Sequence, residues 1–199
     1  MKRSTSAPAL LAPFLLSLVL LSPVLLSLAA CSSSGTVIGY ASYENYGISH
    51  FSYAAAGRDF QVRVMGTPFA STDPSALADA VVAAMQGANF GPQTHFVTRP
   101  TPSTRDNFHA ALLFNPTPLT TADAACAGQG ASTTPADGKV RLLAAFCNRT
   151  RPLSFLESSA SASGVADPGF RDLIRQSTMH LFPISDPFNN RGECQGVDC

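Results

Sequence analysis

The spacing of apolar residues changes several times along this chain, and each change marks an element. Phe60, Val62 and Val64 alternate with Gln61, Arg63 and Met65, the period of two of a half-buried strand. The segment before it, 48–55, is joined to 59–65 through Ala56-Gly57-Arg58-Asp59 and reads as the other arm of a hairpin. Leu77, Ala78, Val81, Val82 and Met85 then share one face of a helix. Asp73 caps it, Pro74 suits its first turn, and Gly87 ends it. Three further strands follow: a short one at 94–98, one at 107–115 with Phe108, Ala110, Leu112 and Phe114 on one side, and one at 139–147 with Val140, Leu142, Ala144 and Phe146 on one side. The loop between the last two is long enough to need a specific hold. Residues 152–166 are Ser/Ala-rich and read as a mobile connection. Asp167-Pro168 opens a second helix with Phe170, Leu173, Ile174 and Leu181 inward, and Pro183 closes it. The order is two strands, helix, three strands, helix. Each amphipathic helix must bury its stripe against a sheet, which predicts an α+β fold: a small antiparallel sheet of about five strands with two helices packed on one face.

The first thirty residues have a different grammar. Met1-Lys2-Arg3 supplies a positive start, and the apolar run that follows ends at Leu28-Ala29-Ala30-Cys31, the layout of an export signal. A run of this length also suits a membrane-spanning helix, but Pro13 and Pro23 interrupt it and it stops at a cysteine. Those four residues resemble the lipobox of bacterial lipoproteins. The resemblance covers the signal and Cys31 only. It implies that Cys31 is lipidated by a diacylglycerol on its thiol, that the leader is cut before it, and that the new amino terminus is acylated. Ser32 in place of Asp implies, by the same resemblance, sorting to the outer membrane, with the protein facing the periplasm. The expected organisation is a leader over 1–30, the lipidated Cys31 with a short tether over 31–36, and one periplasmic α+β domain over 37–199 with a Cys-containing C-terminal tail.

Four more cysteines remain: Cys126, Cys147, Cys194 and Cys199. An exported chain sits where disulfides persist, and an even number suits a paired framework. Three connectivities are open, of which Cys126–Cys147 with Cys194–Cys199 is favoured. The rival is a four-cysteine zinc site, but the spacings lack the tight Cys-x-x-Cys knuckles such sites use. No cofactor is implied. All four tyrosines, Tyr40, Tyr43, Tyr46 and Tyr53, lie in one short stretch. Their rings suit a lipid or protein interface, or packing in a strand and its approach.

Composition narrows the function further. Charged residues are 13% of the chain against 45% hydrophobic, the formal net charge is zero, and beyond the leader the only lysine is Lys139. That excludes a nucleic-acid-binding protein that works through a basic surface. No nucleophile elbow, phosphate loop, dinucleotide fingerprint or His-Glu-x-x-His is present. His50, His95, His109 and His180 form no metal-ligand spacing, and Asp106 and Asp123 stand in no recognisable dyad. Arg99 and Arg105 flank a Pro/Thr/Ser loop, and Arg149 and Arg151 follow Cys147. Gathered at one sheet edge, these four would suit an anionic ligand; separated, they would make surface ion pairs with Asp106 or Glu157.

The expectation is therefore a membrane-anchored, periplasm-facing lipoprotein that acts as a non-catalytic binding or assembly module. It is held by its N-terminal lipid and engages an envelope protein partner. The strand–helix order is broadly similar to small envelope-assembly lipoproteins such as the lipopolysaccharide-assembly lipoprotein, at the level of architecture alone. The alternatives are an envelope enzyme whose site is assembled from distant residues, and a small-molecule or lipid carrier.

Overall fold

The computed structural model describes residues 35–133 and 138–184. Cys31, its leader, Cys194 and Cys199 lie outside the described residues. In chain order the elements are β1 (Val37–Ser42), α1 (Ile48–Ala55), β2 (Asp59–Met65), α2 (Pro74–Met85), β3 (His95–Val97), β4 (Phe108–Phe114), α3 (Ala122–Cys126), β5 (Lys139–Asn148), β6 (Arg151–Ser161) and α4 (Pro168–Leu181). The fold is α+β, with one six-stranded sheet in the order β1-β6-β5-β4-β2-β3. Among the described residues no helix is long and apolar enough to cross a membrane.

The sheet is mixed, which corrects the expected all-antiparallel arrangement of about five strands and two helices. β2 pairs in parallel with both β3 and β4, while β4–β5, β5–β6 and β6–β1 are antiparallel. The reason is α2. A 12-residue helix carries the chain back to the end of the sheet where β2 began, so the next strand must run the same way. β3 is three residues long, so the return to the start of β4 is short as well.

Two segments take a different form from the one their sequence predicts. The first arm of the expected hairpin, 48–55, is α1, which buries Phe51, Ala54 and Ala55. Those positions are spaced i, i+3 and i+4, and they seat the helix against the sheet. The expected mobile connection is β6, an eleven-residue strand. Its small residues let α4 pack close: Ser158 Oγ meets Ser177 Oγ at 2.8 Å, and Ser154 Oγ donates to Leu181 O at 2.7 Å. Both helix starts behave as their punctuation predicts. Asp73 Oδ1 accepts from the Ser75 and Ala76 amides at 2.9 and 3.0 Å, and Asp167 Oδ1 accepts from Gly169 N at 2.8 Å.

The core on the α1, α2 and α4 face is aromatic. Phe60 of β2 and Phe146 of β5 meet Phe51 of α1, while Phe96 of β3 closes the side. Phe182, just past α4, enters the middle of this group. Its ring centroid lies 4.0 Å from Phe51, 5.4 Å from Phe146 and 5.8 Å from Phe60. It is fully buried, so the last helix is pinned by the residue that follows it. Phe182→Ala leaves a cavity at the meeting point of α1, α4 and three strands. It should cost about 3–5 kcal/mol in urea unfolding; a change within 1 kcal/mol would show that α4 is held elsewhere.

Candidate functional site

The second face of the sheet is covered only in part. Ala111 and Leu113 of β4 and Leu143, Ala145 and Cys147 of β5 are buried there beneath Ala122, Ala125 and Cys126. The cover is the segment 116–133. Its base is tied by Thr133 N donating to Asn115 O at 2.8 Å and Thr117 N to Ala131 O at 3.1 Å. Thr121 caps α3 through the Ala124 amide at 3.2 Å. Gly130 lies so close to the Leu113 side chain that a Cβ there would collide with it. The Cys126 and Cys147 sulfurs are bonded at 2.01 Å. A disulfide closing a loop of this span stabilises by about 3 kcal/mol through the unfolded chain.

Beyond the cover, the outer strands leave a groove of about 490 Å³. Val37 and Gly39 of β1 form one bank, and Thr117, Pro118 and Thr120 form the other. Arg141 and Glu157, both exposed, also line it. Val37, Tyr40 and Leu119 are exposed beside it, and the Tyr40 ring rests 5.7 Å from that of Phe155.

A second, polar cluster lies at the opposite end of the sheet order. Asp59 and His95 are cross-strand partners at the starts of parallel β2 and β3. His95 Nδ1 donates to Asp59 Oδ1 at 3.0 Å. The return loop from β3 to β4 crosses here, and Thr101 Oγ1 donates to Asp59 Oδ2 at 2.6 Å. Ser103 Oγ accepts from Asp59 N at 3.1 Å and lies 3.1 Å from Thr101 Oγ1. These hydrogen bonds, from Thr101 first and then Ser103 and His95, hold the Asp59 carboxyl below its usual range. The shallow recess around them measures about 320 Å³ and is also lined by Arg58, Gln93 and Thr94. The nearby amides are engaged: Gly57 N donates to Gln93 O, Arg58 N to Ala55 O, His95 N to Arg58 O, and Ser103 N to Thr101 Oγ1. His95 is 68% exposed. The chemistry of the cluster is that of a clasp: a carboxylate binding two strand starts and the loop that crosses them.

Arg105, Arg149 and Arg151 stand at neighbouring strand ends, where Phe108 pairs with Asn148 and Asn148 with Arg151, but their contacts differ. Arg105 lies 3.8 Å above the Tyr53 ring and donates to Tyr53 O and Oη. Arg151 Nη2 donates to Asn45 Oδ1 at 2.6 Å. Arg149 turns the chain between β5 and β6 at a φ of 55°, and its amide donates to Asn107 O. Arg99 is exposed in the return loop. Two of the four guanidinium groups thus serve different local contacts. Asp123 lies in the first turn of α3 and Asp106 is exposed. His50 Nδ1 accepts from Gly47 N at 3.1 Å at the start of α1, and His180 lies in the last turn of α4. Among the described residues no three His, Cys, Asp or Glu side chains stand together as metal ligands.

His109 is the buried exception. It sits under α3, opposite Cys147 in the β4–β5 register, and is 1% exposed. Its Nε2 donates to Cys126 O at 3.2 Å. That fixes the proton on Nε2 and leaves Nδ1 a buried atom without a partner among the described residues.

No family model, curated protein or solved structure matches this chain.

Burial, then the charge of Arg63, pushes the His109 imidazole down to about 4, against the opposing effect of the Cys126 carbonyl. The unfolded chain takes up this proton near pH 6.5, so between about 6.5 and 4 only the unfolded state is protonated. Stability should be flat in this term above pH 7 and fall through that window as pH drops, by an amount on the order of 2 kcal/mol. His109→Gln keeps a donor for Cys126 O and removes the proton. Thermal unfolding of wild type and variant should diverge between pH 7 and 4; parallel curves would contradict the assignment.

Proposed function

We propose that this protein is a lipid-anchored, non-catalytic module of the cell envelope, held through Cys31 and engaging an envelope protein partner from the periplasmic side. The anchor rests on the lipobox-like Leu28-Ala29-Ala30-Cys31. The observation that supports the non-catalytic part is the hydrogen-bonded Asp59–His95 cluster. General base catalysis needs a nucleophile within hydrogen-bond reach of the base and donors for the charge that develops. Here the carboxylate is bonded to the His95 imidazole and the Thr101 hydroxyl, and the amides of Gly57, Arg58, Asp59, His95 and Ser103 already donate to protein acceptors.

A carrier of small apolar molecules would need space between helices and sheet. That space is filled by Phe51, Phe60, Phe96, Phe146 and Phe182, all buried, which favours a module that works by its surface.

Tagged protein is purified from detergent-solubilised envelopes beside the Cys31→Ala form. The expected result is a stoichiometric partner that follows the lipidated form and is lost or strongly depleted with Cys31→Ala. A lipidated form that purifies alone would defeat the assembly reading.

A further inference from the structure

Leu119 is 92% exposed, and the turn that carries it is built to keep it there. Thr120 N donates to Thr117 O at 3.0 Å across Pro118 and Leu119. The Thr117 and Thr120 hydroxyls meet at 2.7 Å, and Thr120 Oγ1 donates to Ala131 O at 3.2 Å. Pro118 removes backbone freedom at the tip. A single exposed leucine needs no explanation. This one faces company: across the groove that its neighbours Pro118 and Thr120 line, β1 presents Val37 at 57% and Tyr40 at 55% exposure.

The two banks share an absence of charge. No Asp, Glu, Lys or Arg occurs from Gly35 to Tyr43 or from Asn107 to Ala122, in a chain whose other exposed turns carry Arg58, Asp106 and Arg149. The other tyrosines of the cluster are engaged elsewhere. Tyr43 and Tyr46 donate to His180 O and Pro183 O, and Tyr53 lies under Arg105. Tyr40 is left with its ring half-open on the same side of β1 as Val37, both set by the register against Glu157 and Ser159. A leucine and a valine beside an aromatic ring with a polar tip is the composition that settles at the boundary between headgroups and acyl chains. Arg141 and Glu157, of opposite sign and both exposed, line the groove between the two banks, so the contact is shallow and confined to the rim.

Chain length supplies the occupant. Val37 follows Cys31 by six positions, a reach of at most about 20 Å. On the lipid-anchor reading, on which this inference rests, the first strand cannot leave the vicinity of the bilayer. We infer that the rim formed by Leu119, Val37 and Tyr40 rests in the headgroup layer of the membrane that holds the anchor, so that the partly covered face of the sheet is turned to the lipid. The helix face, with α2 and α4, is then the one presented to the periplasm.

The chain contains no tryptophan, so a single substitution is a clean reporter. Lipidated Leu119→Trp protein is reconstituted into phosphatidylethanolamine/phosphatidylglycerol vesicles, with Arg175→Trp on the exposed side of α4 as the comparison. Flotation tests the anchor, and emission tests the rim. The expected result is that both variants float, Leu119→Trp is blue-shifted and is quenched by brominated lipid, and Arg175→Trp is neither. Flotation with a water-like Leu119→Trp emission overturns the rim contact and leaves the anchor standing. A blue shift without quenching by brominated lipid means that protein covers the rim, and overturns it too. Failure to float overturns the anchor, and the rim contact with it.

Discussion

β4 is buried along its whole length and β5 along most of its own, and a strand buried on both faces needs two covers. The first cover comes from three helices and a set of interlocked phenylalanines. The second has to be made from what remains between β4 and β5, a segment with five helical residues among those described. It cannot bury enough apolar surface to hold itself down. Its hold is therefore covalent at one end, through Cys126–Cys147, and hydrogen-bonded at the other, through Asn115 and Thr133. His109 lies beneath it as a neutral donor to the Cys126 carbonyl.

The surface that follows is a consequence of how far this second cover extends. It closes over β4 and β5, reaches Phe155 of β6, and leaves β1 and the 157–159 part of β6 uncovered. There the strands lie open beside a groove whose lip is the same disulfide-held segment. The groove is also near the point where the chain enters the domain. In the proposed function those two facts meet: the tether brings the open face to the bilayer, and the covered, helix-bearing face is left for protein contacts. The polar clasp at Asp59 solves a different problem. Two parallel strands begin side by side there, and a loop must cross their starts.

How much of this was legible in the sequence depended on whether a segment's burial is one-sided. β2, α2 and α4 each show a single apolar stripe with clear end signals, and each forms where its pattern places it. The disulfide Cys126–Cys147 was the favoured pairing among three that the cysteine parity left open. The segment 48–55 misled because a short apolar run fits a strand or a helix, and only the seat offered to Phe51 by Phe60 and Phe146 decides between them. β6 was hidden because its inward serines look like linker composition until Ser177 and the Leu181 carbonyl are there to receive them. The parallel pairing was readable in principle, since a strand, a twelve-residue helix and a strand form a crossover unit. Reading it so would have placed Asp59 beside His95. Leu119 carried no signal by itself; its meaning lies in the two uncharged banks that the fold brings together.

The second face of the sheet depends on one covalent staple, Cys126–Cys147, while the first does not. Hydrogen exchange, followed peptide by peptide in the oxidised protein and after reduction of Cys126–Cys147, tests it most directly. Reduction should strip protection from 117–130, α3 included, while α1, α2 and α4 keep theirs. Unchanged exchange in 117–130, or an equal loss in the three helices of the opposite face, would contradict it.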